Sequence, residues 1–182
     1  MEQVFAPWRI EWVKRDDKNP AVEECVFCEL PDRDDARENL VVAESDRAFA
    51  LLNNAPYNPG HLMVIPRAHG GDFAALDDAT LLDHARLKQR AFDALDAAFE
   101  PDAYNAGLNI GGGAAGGSID DHLHTHVVPR FEGDTNFMPV VSDTKVVVEG
   151  LAETYDALHE AFAAQPDARV PDPDAAVALD FD

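Results

Sequence analysis

Three histidines stand at every second position in the 182-residue chain. They are His122, His124 and His126, and the segment continues into Val127-Val128 before Pro129. Alternation with β-branched residues predicts a strand, which would present all three imidazoles on one face. A neutral imidazole on such a face can attack phosphorus and form a covalent intermediate, while a second imidazole can donate to a phosphate oxygen or hand over a proton.

A glycine-rich segment, residues 111–117, comes just before the histidines. Glycine lets the backbone approach a phosphate closely and direct its N–H groups at it. Gly116 and Gly117 are therefore candidate donors to developing negative charge, and Ser118 adds a hydroxyl that could bind a phosphate oxygen. The alternative role for Ser118 is to close a local turn. The segment and the histidines together predict a phosphate site with a nucleophilic imidazole.

The order of several motifs resembles the histidine triad (HIT) family of nucleotide hydrolases and transferases. His122-Leu-His-Thr-His-Val-Val is similar to the family signature, with Thr125 at a position that is usually apolar. Three further stretches match the family: Cys25-Val-Phe-Cys28, Asn53 to Pro66 and Gly107-Leu-Asn109. The opening segment Phe5 to Trp12 and Gly133-Asp-Thr-Asn-Phe resemble the branch that contains diadenosine tetraphosphate phosphorylases. The resemblance extends over residues 5–150.

The resemblance implies a role for each candidate residue. His124 would be the nucleophile and carry the nucleotidyl group, and His126 would bind that phosphate and help the leaving group depart. Ser118 stands where many family members have Gln, and this departure favours the phosphorylase branch. Asn53 matches a ribose-contacting position, and Asn109 could hold a phosphate or the ribose. Their respective alternatives are a turn asparagine and a strand-end cap.

Cys25 and Cys28 form a Cys-x-x-Cys pair. Such a pair needs two more ligands for a closed tetrahedral zinc site. The metal-binding members of the family imply that His69 and His122 complete it, in which case His122 anchors the histidine strand and does not act on substrate. The alternative is two buried reduced thiols. No organic cofactor is expected.

The chain is strongly acidic, with a formal net charge of −21 and a pI of about 4.4. Such a charge repels itself at low salt, and it argues against a nucleic-acid polymer as partner. Our hypothesis is a cytoplasmic protein of a high-salt-adapted organism, and the alternative is an ordinary acidic enzyme. A melting temperature that does not change with added salt would reject the hypothesis. Neither a signal peptide nor an apolar run that could span a membrane is expected from the sequence.

The patterns predict one α+β domain with strands at 40–43, 48–52, 61–66, 104–110 and the histidine segment. A long helix is predicted within 72–99 and a C-terminal helix at 149–164, with His84 and His159 on the surface of these helices. The resemblance implies an open, mostly antiparallel five-stranded sheet and a homodimer. The predicted organisation is an N-terminal arm at 1–20 that packs on the domain or its dimer partner, a HIT domain at 21–164, and a loose acidic tail at 165–182.

The favoured function is nucleotidyl transfer from adenosine polyphosphates. With inorganic phosphate as acceptor, diadenosine tetraphosphate would yield ATP and ADP; with water, the reaction would be hydrolysis. A nucleoside phosphoramidase is an alternative within the family. A metalloenzyme that uses the three histidines as ligands, or a nucleotide-binding regulator without turnover, are alternatives from other classes. Arg130 and Lys145 are scarce positive charges that could steer phosphate or lie on the surface.

Overall fold

The computed structural model describes residues 25–111, 115, 119, 121–134 and 150–181, so the predicted N-terminal arm lies outside it. Seven strands form one sheet in these ranges. They are β1 (Val41–Glu44), β2 (Ala48–Leu52), β3 (Leu62–Pro66), β4 (Ala103–Leu108), β5 (Thr125–Arg130), β6 (Ala168–Arg169) and β7 (Val177–Leu179). Their order is β4-β5-β3-β2-β1-β7-β6, and all neighbours are antiparallel except β1 and β7.

Within the same ranges, three α-helices accompany the sheet: α1 (Val26–Glu29), α2 (Asp78–Phe99) and α3 (Leu151–Ala163). The long predicted helix is confirmed as α2. It begins after Asp77, whose side chain accepts a hydrogen bond from the Thr80 N–H at 2.9 Å. It ends at Phe99, and the next residue, Glu100, adopts a left-handed conformation before Pro101. Among the described residues, every helix is too short or too polar to cross a bilayer.

The C-terminal segment differs from the prediction of a loose tail. Strand β7 pairs in parallel with β1, with Ala43 opposite Val177, and β6 pairs with β7. Val177 and Leu179 are buried. Pairing with β1 forms backbone hydrogen bonds that a free sheet edge would lack, and it buries apolar side chains. In the sequence, the surrounding Asp and Pro residues obscure this apolar pattern. The α+β class is therefore confirmed, but the sheet has two strands more than expected.

The sheet separates two cores. Helices α2 and α3 cover what we call the helix face, where Val64 and Val127 pack with Leu87 and Leu158. On the opposite side, the histidine face, the segment around α1 packs on the sheet. The residues of this second core include Cys25, Phe27, Phe49, Met63 and Ile65. Residues alternate between the two faces along a strand. Strand β5 therefore directs Thr125 to the helix face and His126, opposite Met63, to the histidine face.

His84 was expected on the surface of α2, and this prediction is wrong. Its side chain is 1% exposed and lies in the buried stripe of the helix with Thr80, Leu87 and Ala91. Their spacing of three or four residues indicates one face of a helix, and the polarity of the imidazole obscured that pattern. His159 on α3 is half-buried, and its Nε2 lies 3.0 Å from the Ala175 carbonyl oxygen.

Candidate active site

The histidine segment is only partly a strand. Strand β5 begins at Thr125, so the predicted strand is wrong for His122 and His124, which precede it. The ladder between β3 and β5 ends at the pair Val64 and Thr125. The three rings nevertheless share the histidine face. The Phe27 ring lies 5.6 Å from the His122 ring and 5.2 Å from the His124 ring, and 4.9 Å separates the rings of His124 and His126.

His124 is buried and has a defined tautomer. Its Nδ1 lies 2.9 Å from the backbone carbonyl oxygen of His122. Because a carbonyl only accepts hydrogen bonds, Nδ1 carries the proton and the lone pair is on Nε2. Burial lowers the pKa of His124, and this outweighs the opposing effect of the hydrogen bond to His122. The ring is therefore neutral at pH 7, with Nε2 as its nucleophilic atom.

A chain of hydrogen bonds sets the tautomer of His126. The backbone N–H of Tyr57 donates to Nδ1 of His61 at 3.2 Å, so the proton of His61 is on Nε2. That Nε2 lies 3.0 Å from Nδ1 of His126 and donates to it. His126 consequently keeps its own proton on Nε2. It is arranged as a hydrogen-bond donor at Nε2, in contrast to His124.

His61 also belongs to the site, although its contact with His126 was not predicted from the sequence. It is fully buried, and its ring stacks on Tyr57 with centroids 5.0 Å apart. The turn before it requires glycine, because Gly60 has a φ of +76° and a Cβ there would lie 2.9 Å from Leu95. The Pro-Gly-His sequence at the start of a buried strand was the available signal. The pairing of β3 with β5, which brings the two rings together, was not visible in the sequence.

The predicted metal ligands come together at the other end of the histidine segment. The ligand atoms of Cys25, Cys28, His69 and His122 all lie within 4.8 Å of one another. His122 Nδ1 is 3.4 Å from Cys25 Sγ and 3.6 Å from Cys28 Sγ, and His69 Nδ1 is 3.4 Å from Cys28 Sγ. A tetrahedral site with bonds of about 2.0–2.3 Å places its ligand atoms about 3.3–3.8 Å apart. The four side chains therefore fit one four-coordinate metal ion.

A backbone carbonyl also orients His122 for this cluster. Its Nε2 lies 2.7 Å from the carbonyl oxygen of Pro66, at the end of β3, and donates to it. Nδ1 is thus the nitrogen that carries the lone pair and faces both thiols. A metal-binding histidine usually donates the N–H of its other ring nitrogen to a group such as a backbone carbonyl, which fixes the orientation of the ring. The arrangement supports the expectation that His122 anchors the segment and does not contact substrate.

The other predicted site residues have less direct support. Asn53 is buried, its Oδ1 accepts from the Ala55 N–H at 2.9 Å, and its Nδ2 faces the Met63 sulfur. These are the contacts of the turn alternative, and its ribose role remains a prediction. Asn109 is exposed just after β4. Gly116, Gly117, Ser118 and Lys145 lie outside the described residues, and their roles also remain predictions.

Arg130 takes part in a local network of hydrogen bonds with an ion pair. Its guanidinium contacts Asp134 at 2.6 and 3.1 Å and Asn105 at 2.7 Å. The guanidinium holds the pKa of Asp134 below its usual range. Asn58 contributes a further hydrogen bond to this carboxylate at 2.8 Å. The charge of Arg130 is therefore shared with Asp134, which does not support the idea that it steers phosphate.

Comparison with known sequences agrees with the geometry. The HIT domain model matches residues 35–133, more than half of the chain. The AP-4-A phosphorylase of Mycobacterium tuberculosis is 37% identical over 171 residues, which cover 91% of this chain and 87% of that protein. The adenosine 5'-monophosphoramidase of Schizosaccharomyces pombe is 30% identical over 106 residues, 58% of this chain and 74% of that protein.

Solved structures show the same fold. A zinc-bound histidine triad family protein from Mycobacterium smegmatis aligns with a TM-score of 0.60 and 27% identity, over 77% of this chain and 94% of its own. A histidine triad nucleotide-binding protein from Sulfolobus tokodaii aligns with a TM-score of 0.58 and 28% identity, over 76% and 89%. The extent of the domain match and the 37% identity lead to one conclusion: the chain belongs to the histidine triad family.

Proposed function

We propose that the protein transfers a nucleotidyl group from an adenosine polyphosphate to an acceptor through a covalent intermediate on His124. One observation carries this proposal: the hydrogen bond from His124 Nδ1 to the carbonyl of His122, at 2.9 Å. That bond leaves the lone pair on Nε2, and burial lowers the pKa so that the ring is neutral. A neutral, oriented imidazole is the form that attacks phosphorus.

The reaction has two displacements. In the first, the lone pair of His124 Nε2 forms a P–N bond to the α-phosphorus, and the bond from that phosphorus to the bridging oxygen breaks. The Nε2–H of His126 donates a hydrogen bond to that bridging oxygen, which leaves as a phosphate anion with the electron pair of the broken bond. In the second, an acceptor oxygen attacks the same phosphorus, the P–N bond breaks, and its electron pair returns to Nε2 of His124.

The favoured substrate is diadenosine tetraphosphate, and the favoured acceptor is inorganic phosphate. The first displacement then releases ATP and leaves AMP on His124, and phosphate converts this AMP to ADP. Two observations support this reaction. The relative from Mycobacterium tuberculosis named AP-4-A phosphorylase aligns over 91% of the chain. Ser118 and the Gly133-Asp-Thr-Asn-Phe segment resemble the phosphorylase branch.

Hydrolysis of a dinucleoside polyphosphate, or cleavage of a nucleoside phosphoramidate, is the second candidate. Both use the same first step with a different acceptor or leaving group. The relative from Schizosaccharomyces pombe, named adenosine 5'-monophosphoramidase, supports this candidate.

We also propose that Cys25, Cys28, His69 and His122 hold a structural zinc ion. The ligand spacing and the name of the zinc-bound relative from Mycobacterium smegmatis support this assignment. Bound zinc would supply a cross-link between the segment around α1 and the histidine segment. The alternative of a catalytic metal on the three histidines loses support, because Nδ1 of His122 faces the thiols.

Product analysis tests the proposal. Diadenosine tetraphosphate is incubated with and without phosphate in high salt, and intermediates are trapped at neutral pH for mass spectrometry. We expect AMP on His124, with ATP and ADP as products when phosphate is present. ATP with AMP, whether or not phosphate is added, would instead identify a hydrolase. The His159→Gln variant, which loses a histidine on α3, is the control and should give the same products as the unaltered protein. Absence of both turnover and a nucleotide on His124 would contradict the proposal.

A further inference from the structure

The buried imidazole of His84 lies on the helix face, directly behind the histidine segment. Its Nε2 is 3.2 Å from the Val64 carbonyl oxygen and 3.2 Å from Oγ1 of Thr125. Because the carbonyl only accepts, Nε2 carries the proton, and the Thr125 oxygen is a second acceptor. Burial lowers the pKa of His84, so the ring is neutral with this single N–H. One imidazole therefore holds β3 and β5 together from behind.

The two contacts fall where the β3–β5 ladder ends. Its paired residues are Leu62 with Val127, Met63 with His126 and Val64 with Thr125. Before Thr125 the chain leaves the ladder, and the carbonyl of Pro66 accepts instead from the ring of His122. His126 is thus inside the ladder and His124 just outside it. The end of the ladder fixes how these two imidazoles are placed relative to one another.

Thr125 is the residue between His124 and His126, and its side chain points away from them. The core on the helix face is apolar and includes Val64, the partner of Thr125 on β3, and Val127, two residues further along β5. A hydroxyl and an imidazole in such a core are costly unless they satisfy each other and the backbone. Packing would be served as well by two apolar side chains. The polar pair instead supplies a directional contact at the ladder end.

We propose that His84 is a positioning residue for the two imidazoles on the other side of the sheet. By binding the Val64 carbonyl and Thr125 together, it fixes the ladder end and with it the spacing of His124 from His126. The kinetic consequence rests on the proposed nucleotidyl transfer, whereas the structural consequence does not. A displacement of about 1 Å at a reacting group can cost about 100-fold in rate, so we expect about tenfold for one lost contact.

Four variants test the inference. His84→Leu removes the donor, His84→Gln keeps a terminal N–H, and Thr125→Val removes the second acceptor alone. Leu158→Val, in the same core on α3, is the control for lost stability without a change at β5. For each variant, kcat and KM are measured with diadenosine tetraphosphate and phosphate, well below the melting temperature. The ring ¹⁵N signals of His124 and His126 are recorded without substrate.

We expect His84→Leu to lower kcat about tenfold with KM changed less than about twofold, because the nucleophile and not the binding surface is displaced. The ring signals of His124 and His126 should shift in this variant and not in Leu158→Val. His84→Gln should recover most of kcat, and Thr125→Val should lose about twofold to threefold. This last variant decides the outcome if His84→Leu does not fold.

Unchanged ring signals in both His84→Leu and Thr125→Val, or a kcat equal to that of Leu158→Val, would overturn the inference. If the unaltered protein turns over no nucleotide, the proposed function fails. The ring signals then still decide whether His84 positions the two imidazoles.

Discussion

His122 and His124 are two residues apart, yet the structure prepares them for different chemistry. His122 donates from Nε2 to the Pro66 carbonyl, so its Nδ1 faces the thiols of Cys25 and Cys28. His124 donates from Nδ1 to the His122 carbonyl, so its lone pair is on Nε2. The difference teaches that the backbone carbonyl each ring binds, and not the residue type, decides which nitrogen is available and for what.

The two groups of histidines are also linked. We call His61, His124 and His126, the residues of the proposed transfer, the catalytic group. We call His69 and His122 with the two cysteines, the proposed zinc ligands, the metal group. The carbonyl that sets the tautomer of His124 belongs to His122, a member of the metal group. Loss of the metal group should therefore weaken the catalytic group, whereas loss of a catalytic ring should leave the metal group intact.

The largest effect is expected from His124→Ala. This change removes the proposed nucleophile and should lower kcat by about 10³-fold or more while zinc content is preserved. Calorimetry should show nucleotide binding within a few-fold of the unaltered protein. A variant that keeps more than about a hundredth of the activity would show that His124 is not the nucleophile. If the unaltered protein has no turnover and His124→Ala binds nucleotide equally well, the alternative of a nucleotide-binding regulator is favoured.

His61→Phe should have the next largest effect. Phenylalanine keeps a ring beside Tyr57 but removes the N–H that fixes the tautomer of His126. We expect kcat to fall by about 10- to 100-fold with little change in KM, because the hydrogen bond from His126 to the leaving oxygen is impaired. His61→Gln offers an amide that can accept from Tyr57 and donate to His126, so it should recover part of the loss. Equal kinetics for the two variants would show that packing alone matters.

The contrast between these groups explains what the sequence could predict. The Cys25, Cys28, His69 and His122 set followed from the family resemblance, because spaced ligand residues define a metal site without knowledge of their contacts. The helical period of α2 and the apolar runs of β1 to β3 likewise predicted their elements.

Long-range contacts could not be predicted in the same way. His61 meets His126 across 65 positions in the sequence, and only the β3–β5 pairing brings them together. His84 looked like a surface residue because a polar residue on a helix usually is, and its acceptors come from two other elements. The short strand β7 depends on the open edge of β1, which no local pattern of residues 165–182 reveals.

Removal of the metal group should have a smaller kinetic effect and a larger structural one. Cys25→Ser should retain under about half an equivalent of zinc and lower the melting temperature by about 5 °C or more, because metal binding contributes to folding. We expect kcat to fall only about tenfold, since the His122 carbonyl is loosened and not removed. His159→Gln is the control and should keep its metal. Unchanged stability and full activity without zinc would show that the catalytic group does not depend on the metal group.

The smallest effect concerns His84, a third buried imidazole held by a backbone carbonyl. Burial lowers its pKa and outweighs the other influences, among which Lys88 lowers the pKa and the Val64 hydrogen bond and Asp83 raise it. The unfolded chain therefore binds this proton more readily, so stability present above pH 6.5 is lost as the pH falls below about that value.

This contribution should appear as a difference between two proteins. The free energy of unfolding is measured from pH 7.5 to 5 for the unaltered protein and for His84→Gln, which cannot bind the proton. Because the other histidines are common to both, their effects largely cancel in the comparison. The unaltered protein should lose up to about 1.4 kcal/mol more per pH unit below pH 6.5 than the variant. Parallel profiles would mean that His84 is protonated as easily in the folded protein as in the unfolded chain, contrary to its burial.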